Sequence, residues 1–265
     1  MEPLALTVAQ CDKEKGTLSF MVIENGVSSK LCALLRPQEL VSLMGPTGVR
    51  AKISEEQETI LIVGNQLSIP LLCTYGQALR AMGNRVIYLG QFKHTKDIYC
   101  QDRIEQAADT IIWSIDSGEK LTTRPHDYST TGDSLELLLK HAHDIQLNQV
   151  DRIYLIDNTH FLRRFQEARK TTLKDFLIKD PRVFGSVYST MQCMLKGVCA
   201  QCLQWQIDPE SGKRTKAVFA CSWPDQPLEL IDFDNIDERL IQNRLQEHLS
   251  NLWVDHLLAS QEPKG

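Results

Sequence analysis

Five short apolar runs, separated by stretches of helical spacing, limit what this chain can fold into more than any other feature. They are TILIV (59–63), RVIYLG (85–90), TIIWSI (110–115), RIYLI (152–156) and VFGSV (183–187). A continuous run rich in Val and Ile suits a strand covered on both faces, the condition of a parallel sheet. Residues 70–82 read as a helix ended by Gly83 and Asn84, and residues 97–108 can be helical. Residues 134–147 carry Leu135, Leu138, Leu139 and Ala142 at helical spacing, and further helices are expected near 160–169 and 172–178. Strand alternating with helix predicts an α/β domain with right-handed crossovers between parallel strands.

This block, 54–188, is flanked by two smaller ones in a chain of 265 residues, long enough for more than one core. Residues 1–53 contain β-rich segments at 4–9, 17–23 and 40–44, closed by Gly45, Pro46, Thr47 and Gly48. That is too little to close a barrel, so the block reads as a partial, truncated β-barrel that needs strands from elsewhere. In block 189–265, LQWQID and TKAVFAC flank the turn PESGKR, which predicts a β-hairpin. An amphipathic helix follows over 235–258, carrying Ile236, Leu240, Leu245, Leu249, Leu252 and Leu257, with Asp234 as its expected N-cap.

The net charge of −5 argues against a general nucleic-acid binder, which needs a basic footprint. No apolar run approaches the roughly 20 residues of a membrane-spanning helix. Residues 1–16 lack the pattern of a secretory signal, so a cytoplasmic location is expected. In that compartment the eight cysteines are expected to be thiols or metal ligands rather than disulfides. Cys11, Cys32, Cys73 and Cys100 stand singly among apolar neighbours and read as small buried hydrophobes.

The other four cysteines form a set. Cys193, Cys199, Cys202 and Cys221 are spaced C-x5-C-x2-C-x18-C, and the hairpin would return Cys221 to the neighbourhood of Cys202. Four thiolates can hold a [2Fe–2S] cluster or a structural zinc ion. Plant-type ferredoxins use C-x4-C-x2-C with a distant fourth cysteine, one residue shorter in the first gap. Only one C-x2-C pair is present and no histidine lies between 161 and 247, so iron–sulfur is favoured, with zinc as the alternative and unliganded thiols third. Gly197, inside the loop, can take positive φ and let backbone N–H groups face the cluster.

On these residues the chain resembles the ferredoxin–NADP reductase superfamily, in particular the electron-transfer subunit of dihydroorotate dehydrogenase. The likeness is greater still to the C-terminal part of large bacterial FAD-dependent oxidoreductases with glutamate-synthase-like regions, through MQCMLKGVCAQCLQ, DQPL (225–228) and DFDN (232–235). The resemblance implies an FAD-binding barrel, a pyridine-nucleotide domain and a [2Fe–2S] loop, in the order found here. EPLALT (2–7) falls on the family's R-P-[IL]-S-[ILV] flavin strand at Pro3, Leu4, Ala5, Leu6 and Thr7, with Glu2 in place of the arginine and Ala5 in place of the serine. GVSSKL (26–31) matches the second flavin element, with Gly26, Ser28 and Ser29 implied at the pyrophosphate. GPTG, with Gly45, Thr47 and Gly48, matches the motif closing the barrel.

The implied NAD(P)H loop departs from the family. Where the family has V-G-G-G-x-G-x-x-P, this chain reads VGNQLSIPLL, keeping Gly64 and Pro70 but placing Asn65, Gln66 and Ser68 at glycine positions. Glycines there admit the pyrophosphate to the helix N-terminus, and Gln66 adds bulk in its path. In LIDNTHF (155–161) the glycine of a second nucleotide loop is also missing.

Two functional readings follow. In the first the chain is an electron-transfer oxidoreductase module, passing electrons from NAD(P)H through FAD and a [2Fe–2S] cluster to a partner redox subunit or an upstream domain of a longer polypeptide. In the second it is a non-catalytic interaction or regulatory subunit that keeps the reductase fold and a structural metal site at the four cysteines. Weaker signals are read as structural. His141 and His143, two apart on a helix, do not share a face, and Arg163, Arg164, Arg169 and Lys170 read as a solvated helix surface. Trp253 and the leucines of the last helix are expected to pack on the chain's own core, with docking of a partner subunit as the alternative.

Overall fold

The computed structural model describes residues 4–46, 57–119, 121–187, 200 and 202–261. The first block holds a hairpin of β1 (Val8–Asp12) and β2 (Thr17–Phe20), followed by the short helix α1 (Val27–Ala33). Residues 40–44, expected as a strand, form no strand and leave Leu40, Val41, Leu43 and Met44 exposed. An apolar run makes a strand only when a neighbouring strand takes up its backbone groups, and among the described residues none lies alongside.

The middle block is one sheet. Its strands are β3 (Thr59–Asn65), β4 (Arg85–His94), β5 (Thr110–Ser117), β6 (Tyr128–Thr130), β7 (Arg152–Asp157) and β8 (Arg182–Val187). A continuous helical path leaves β3 through a 3₁₀ turn (Gln66–Ser68), α2 (Ile69–Leu71), a π turn (Leu72–Gly76) and α3 (Gln77–Ala81). α4 (Gln101–Ala107) follows β4, α5 (Ser134–Lys140) follows β6, and α6 (Thr159–Lys170) follows β7. The stretch near 172–178 forms only turns, and the expected helix at 97–108 begins at Gln101.

The third block has the expected hairpin, β9 (Leu203–Ile207) with β10 (Arg214–Phe219), then β11 (Gln226–Pro227) and the long helix α7 (Phe233–Gln261). The sheet order is β11-β8-β7-β3-β4-β5-β6, parallel throughout except for β11 on β8. Period-two alternation splits the strands between two cores. Leu61 and Val63 point to the side covered by α5 and α6, while Ile60 and Ile62 point to the side covered by α2, α3 and α4. At the N-terminal end of the strands, buried Arg152 pairs with buried Glu58 at 2.6 Å and tethers β7 to β3.

The third block is joined to this sheet at several points. β11 adds to the edge of β8, Gln226 opposite Gly185. Trp205 accepts the Asp232 N–H at its carbonyl (3.1 Å), and Arg214 Nε donates to Asp232 Oδ2 at 2.8 Å. The Asp232 Oδ1 accepts the Asn235 N–H at 2.9 Å, so Asp232, rather than the expected Asp234, caps α7. Asp234 instead sits in the first turn and accepts from Arg163 at 2.7 Å.

Candidate functional site

β9 and β10 are antiparallel, with Leu203 opposite Phe219, and the pairing continues where the Ala220 N–H donates to the Cys202 carbonyl at 3.0 Å. The hairpin therefore brings the backbones at Cys202 and Cys221 to the same end, as its turn sequence predicts. Cys202 is buried and Cys221 half-buried. Among the described residues no three metal-ligating side chains converge. Cys193 and Cys199, which would complete the set, lie outside them, as does Gly197. The donor chemistry at this end fits a thiophilic centre, with one sulfur sheltered and the other near the surface. Ala200, between the second and third cysteines of the set, has φ +53°, a left-handed conformation in a non-glycine residue. Its carbonyl accepts from Arg239 of α7 at 2.9 Å, which holds this loop end against the helix.

A second candidate region lies at the C-terminal ends of β3 and β7. Successive strands leave β3 in opposite directions there, and such switch points are where open α/β sheets receive ligands. In this chain the position is filled from within. A β-carbon on Gly64 would meet the Ser68 Cβ at 2.6 Å and the Ile156 carbonyl oxygen at 2.7 Å. Ser68 is fully buried, donating to the Asn65 carbonyl at 2.7 Å and lying 2.9 Å from the Tyr88 hydroxyl. The Asn65 side chain accepts the Leu67 N–H at 2.9 Å, occupying a donor that a phosphate would otherwise use. Asp157, buried at the end of β7, adds a carboxyl whose pKa is raised by desolvation, with bonds from the Asn158 N–H and the Asn65 side chain opposing the rise. A buried acid and a loop bonded to itself do not fit a dinucleotide pyrophosphate. Gln66 is half-buried in the 3₁₀ turn of this loop.

Of the flavin-type positions, Leu4 and Ala5 are half-buried, Leu6 and Thr7 exposed, and all precede β1. Gly26 is the N-cap of α1, and no atom lies within 4 Å of where its β-carbon would be, so the backbone there is open to close approach. Ser28 is half-buried in the first turn, where helix N–H groups lack intrahelical partners. Those groups fit a phosphate. The Ser29 hydroxyl is spent locally, accepting from the Gly26 N–H (3.0 Å) and the Asn25 N–H (3.1 Å) and donating to the Gly26 carbonyl (2.8 Å). Gly45 lies exposed in the coil after α1, and Pro3, Thr47 and Gly48 fall outside the described residues.

The remaining signals resolve into structure. Arg163 bonds Asp234 and Asp237, Arg164 bonds Asp133, and Arg169 bonds Asp180, so these guanidinium groups are neutralised within the chain. The His141 imidazole lies 3.1 Å from Asp144. Among the singly placed cysteines Cys73 is buried as expected, whereas Cys11 and Cys100 are exposed and Cys32 is half-buried, because they sit on a hairpin strand, a helix N-cap and the short α1. No helix among the described residues is long and apolar enough to cross a membrane.

No family model matches the chain. It is 31% identical over 251 residues to uncharacterized protein RP006 of Rickettsia prowazekii (strain Madrid E), covering 95% of this chain and 27% of that protein. It is 26% identical over 113 residues to the electron transfer subunit of dihydroorotate dehydrogenase B (NAD(+)) of Bacillus cereus (strain AH187), covering 42% of this chain and 44% of that one. The chain thus spans about a quarter and under half of these relatives' lengths. Among solved structures it superposes on a chain of an NADH-dependent reduced ferredoxin-NADP oxidoreductase, studied for flavin-based electron bifurcation, with a TM-score of 0.72 and 22% identity. That match covers 96% of this chain and 82% of the other. The fold is therefore the ferredoxin–NADP reductase-like one. Over the 113 matched residues the chain is similar to the dihydroorotate dehydrogenase electron-transfer subunits.

Proposed function

We propose that the chain is an electron-transfer module of an oxidoreductase and works with a partner redox subunit or domain. Cys193, Cys199, Cys202 and Cys221 are the thiolate ligands of a [2Fe–2S] cluster, and Gly26 with Ser28 holds the phosphates of FAD beside Leu4, Ala5, Leu6 and Thr7. When bound, the flavin exchanges electrons in ones or twos and the cluster in ones. The protein's part is to hold the four sulfurs, shelter Cys202 from water and leave the Cys221 side near the surface, where a partner can approach. The observation that carries this reading is the hairpin that brings Cys202 and Cys221 to one end.

The switch-point crevice supports no step through NAD(P)H, since Ser68, Asn65 and Asp157 use the positions a nucleotide phosphate requires. That same closure favours a second reading, a non-catalytic subunit that retains the reductase fold with a structural zinc at the four cysteines. Anaerobic purification with metal analysis and a visible spectrum separates the two. Absorption at about 400–460 nm with stoichiometric iron is the expected result for flavin and iron–sulfur centres. A colourless, zinc-loaded protein overturns the electron-transfer reading.

A further inference from the structure

The DFDN segment at 232–235 opens α7. Asp232, Asn235 and Arg239, three and four residues apart, lie on one face of that helix. Each bonds the chain that runs out of the cysteine loop into β9. The Asp232 N–H donates to the Trp205 carbonyl at 3.1 Å, and the Trp205 N–H donates to Asn235 Oδ1 at 3.3 Å. Arg239 Nη2 donates to the Ala200 carbonyl at 2.9 Å. The first two bonds seat the hairpin on buried side of α7, where Asp232 and Asn235 lie. The third passes beyond the hairpin, from a half-buried arginine to the loop itself. Cys202 stands between the two anchored points.

The Ala200 carbonyl also accepts the Leu203 N–H at 3.2 Å, so both of its lone pairs are taken. Ala200 has φ +53°, a conformation that persists in an alanine only where its surroundings hold it. Arg239 contributes that hold from outside the loop. The Cys202 carbonyl is bound in turn by the Ala220 N–H at 3.0 Å, so the backbone is fixed both before this sulfur and at it. A guanidinium keeps its charge at every pH at which a protein is folded. Arg239 therefore sets a permanent positive charge beside the segment that carries the sulfurs. A centre that takes up an electron becomes more negative, and a fixed cation nearby favours its reduced state.

We propose that Arg239 is a positioning residue of the four-cysteine site, holding the Ala200 carbonyl so that the loop keeps its set and raising the potential of the centre through its charge. This rests on the reading of Cys193, Cys199, Cys202 and Cys221 as ligands of a [2Fe–2S] cluster. Groups that orient metal ligands from outside change metal retention by about tenfold to a hundredfold when removed. A tether serving only to seat the hairpin would end at Trp205, and its loss would leave the potential unmoved.

The test uses the full 265-residue chain, purified anaerobically, with iron release to a chelator and a redox titration followed in the visible spectrum. Arg239→Met should release iron about tenfold faster than wild type. Its midpoint potential should fall, the ratio of reduced to oxidised centres at a fixed applied potential dropping about threefold to tenfold. Arg239→Lys keeps the charge and should return the potential most of the way, with less of the retention, since an ammonium replaces the planar fork. Arg244→Met removes an exposed arginine further along the same helix and should change neither readout. An unchanged potential in Arg239→Met, an equal fall in Arg239→Lys or Arg244→Met, or loss of all iron from Arg239→Met and Arg239→Lys alike overturns the proposal. Wild-type protein that carries zinc and no iron overturns the iron–sulfur reading itself, whereas iron-loaded wild type with an indifferent Arg239→Met overturns the role of Arg239 alone.

Discussion

Gly64 and Ser68 are in contact so close that a β-carbon on Gly64 would lie 2.6 Å from the Ser68 Cβ, with the Ile156 carbonyl oxygen at 2.7 Å on another side. Both obstacles are rigid: Ser68 is held by two hydrogen-bonding contacts and Ile156 belongs to β7. Gly64→Ala is therefore expected to destabilise the fold by about 1–3 kcal/mol, the range of overpacked cores. Urea denaturation would register it as a lowered midpoint at unchanged slope. Ser68→Gly in the same chain should recover only part of the loss, because the carbonyl remains.

The same contact bears on nucleotide binding. If Asn65, Gln66 and Ser68 are what closes the crevice, replacing all three by glycine should raise NADH affinity by roughly tenfold or more, measured by fluorescence titration. Wild-type protein should bind NADH no tighter than about millimolar. Tight wild-type binding would mean that the loop reorganises around the dinucleotide.

Most of the sheet was legible because five strands are long and apolar enough to carry a pattern. β6 and β11 were not, with three and two residues, too few for any periodicity to register. Residues 40–44 misled for the opposite reason, since a short apolar run without a neighbouring strand is not a strand. The Cys202–Cys221 convergence followed from the turn between them, a local signal. The filling of the crevice did not. Sequence shows glycines replaced, but that Ser68 turns inward to Asn65 and Tyr88 depends on contacts across β4. Likewise the leucines of α7 announce an amphipathic helix without saying that Leu245, Leu249, Leu252 and Leu257 stay exposed, and Asp232 preceded Asp234 as cap because the hairpin fixes it through Arg214.

Asp225, in the segment leading to β11, has its carboxyl pushed up to about 6 by desolvation. An acid whose pKa is higher folded than unfolded binds more protons in the native state, so stability falls as pH rises between about 4 and 6. Once ionised it costs the fold on the order of 3 kcal/mol. Asp225→Asn should raise the melting temperature at neutral pH and leave it nearly unchanged near pH 4. An equal gain at both would assign the effect to packing instead.

Ala200 takes φ +53° where glycine would take it without strain. Ala200→Gly is expected to change stability by only about 0.5–1 kcal/mol in the favourable direction, since relief of strain is partly offset by entropy in the unfolded chain. Thermal unfolding should detect the gain. A loss would place the methyl group in a packing role.

The cysteine set yields the sharpest separation between its members and the rest. Cys202 is buried at the open end of the hairpin, and its backbone carbonyl accepts from the Ala220 N–H, so strand pairing holds its backbone in place. Cys202→Ser keeps that pairing and alters only the donor atom, which makes it a cleaner probe than deletion of the loop. Iron per chain should fall to near background in Cys202→Ser and Cys221→Ser, together with the visible bands, while the hairpin's circular dichroism persists. Cys73→Ser, in the core beneath α2, α3 and α4, and Cys11→Ser, on β1, should retain iron at the wild-type level. Retention of iron in Cys202→Ser would remove this sulfur from the ligand set, because a hard hydroxyl is a poor substitute for a thiolate at a thiophilic centre.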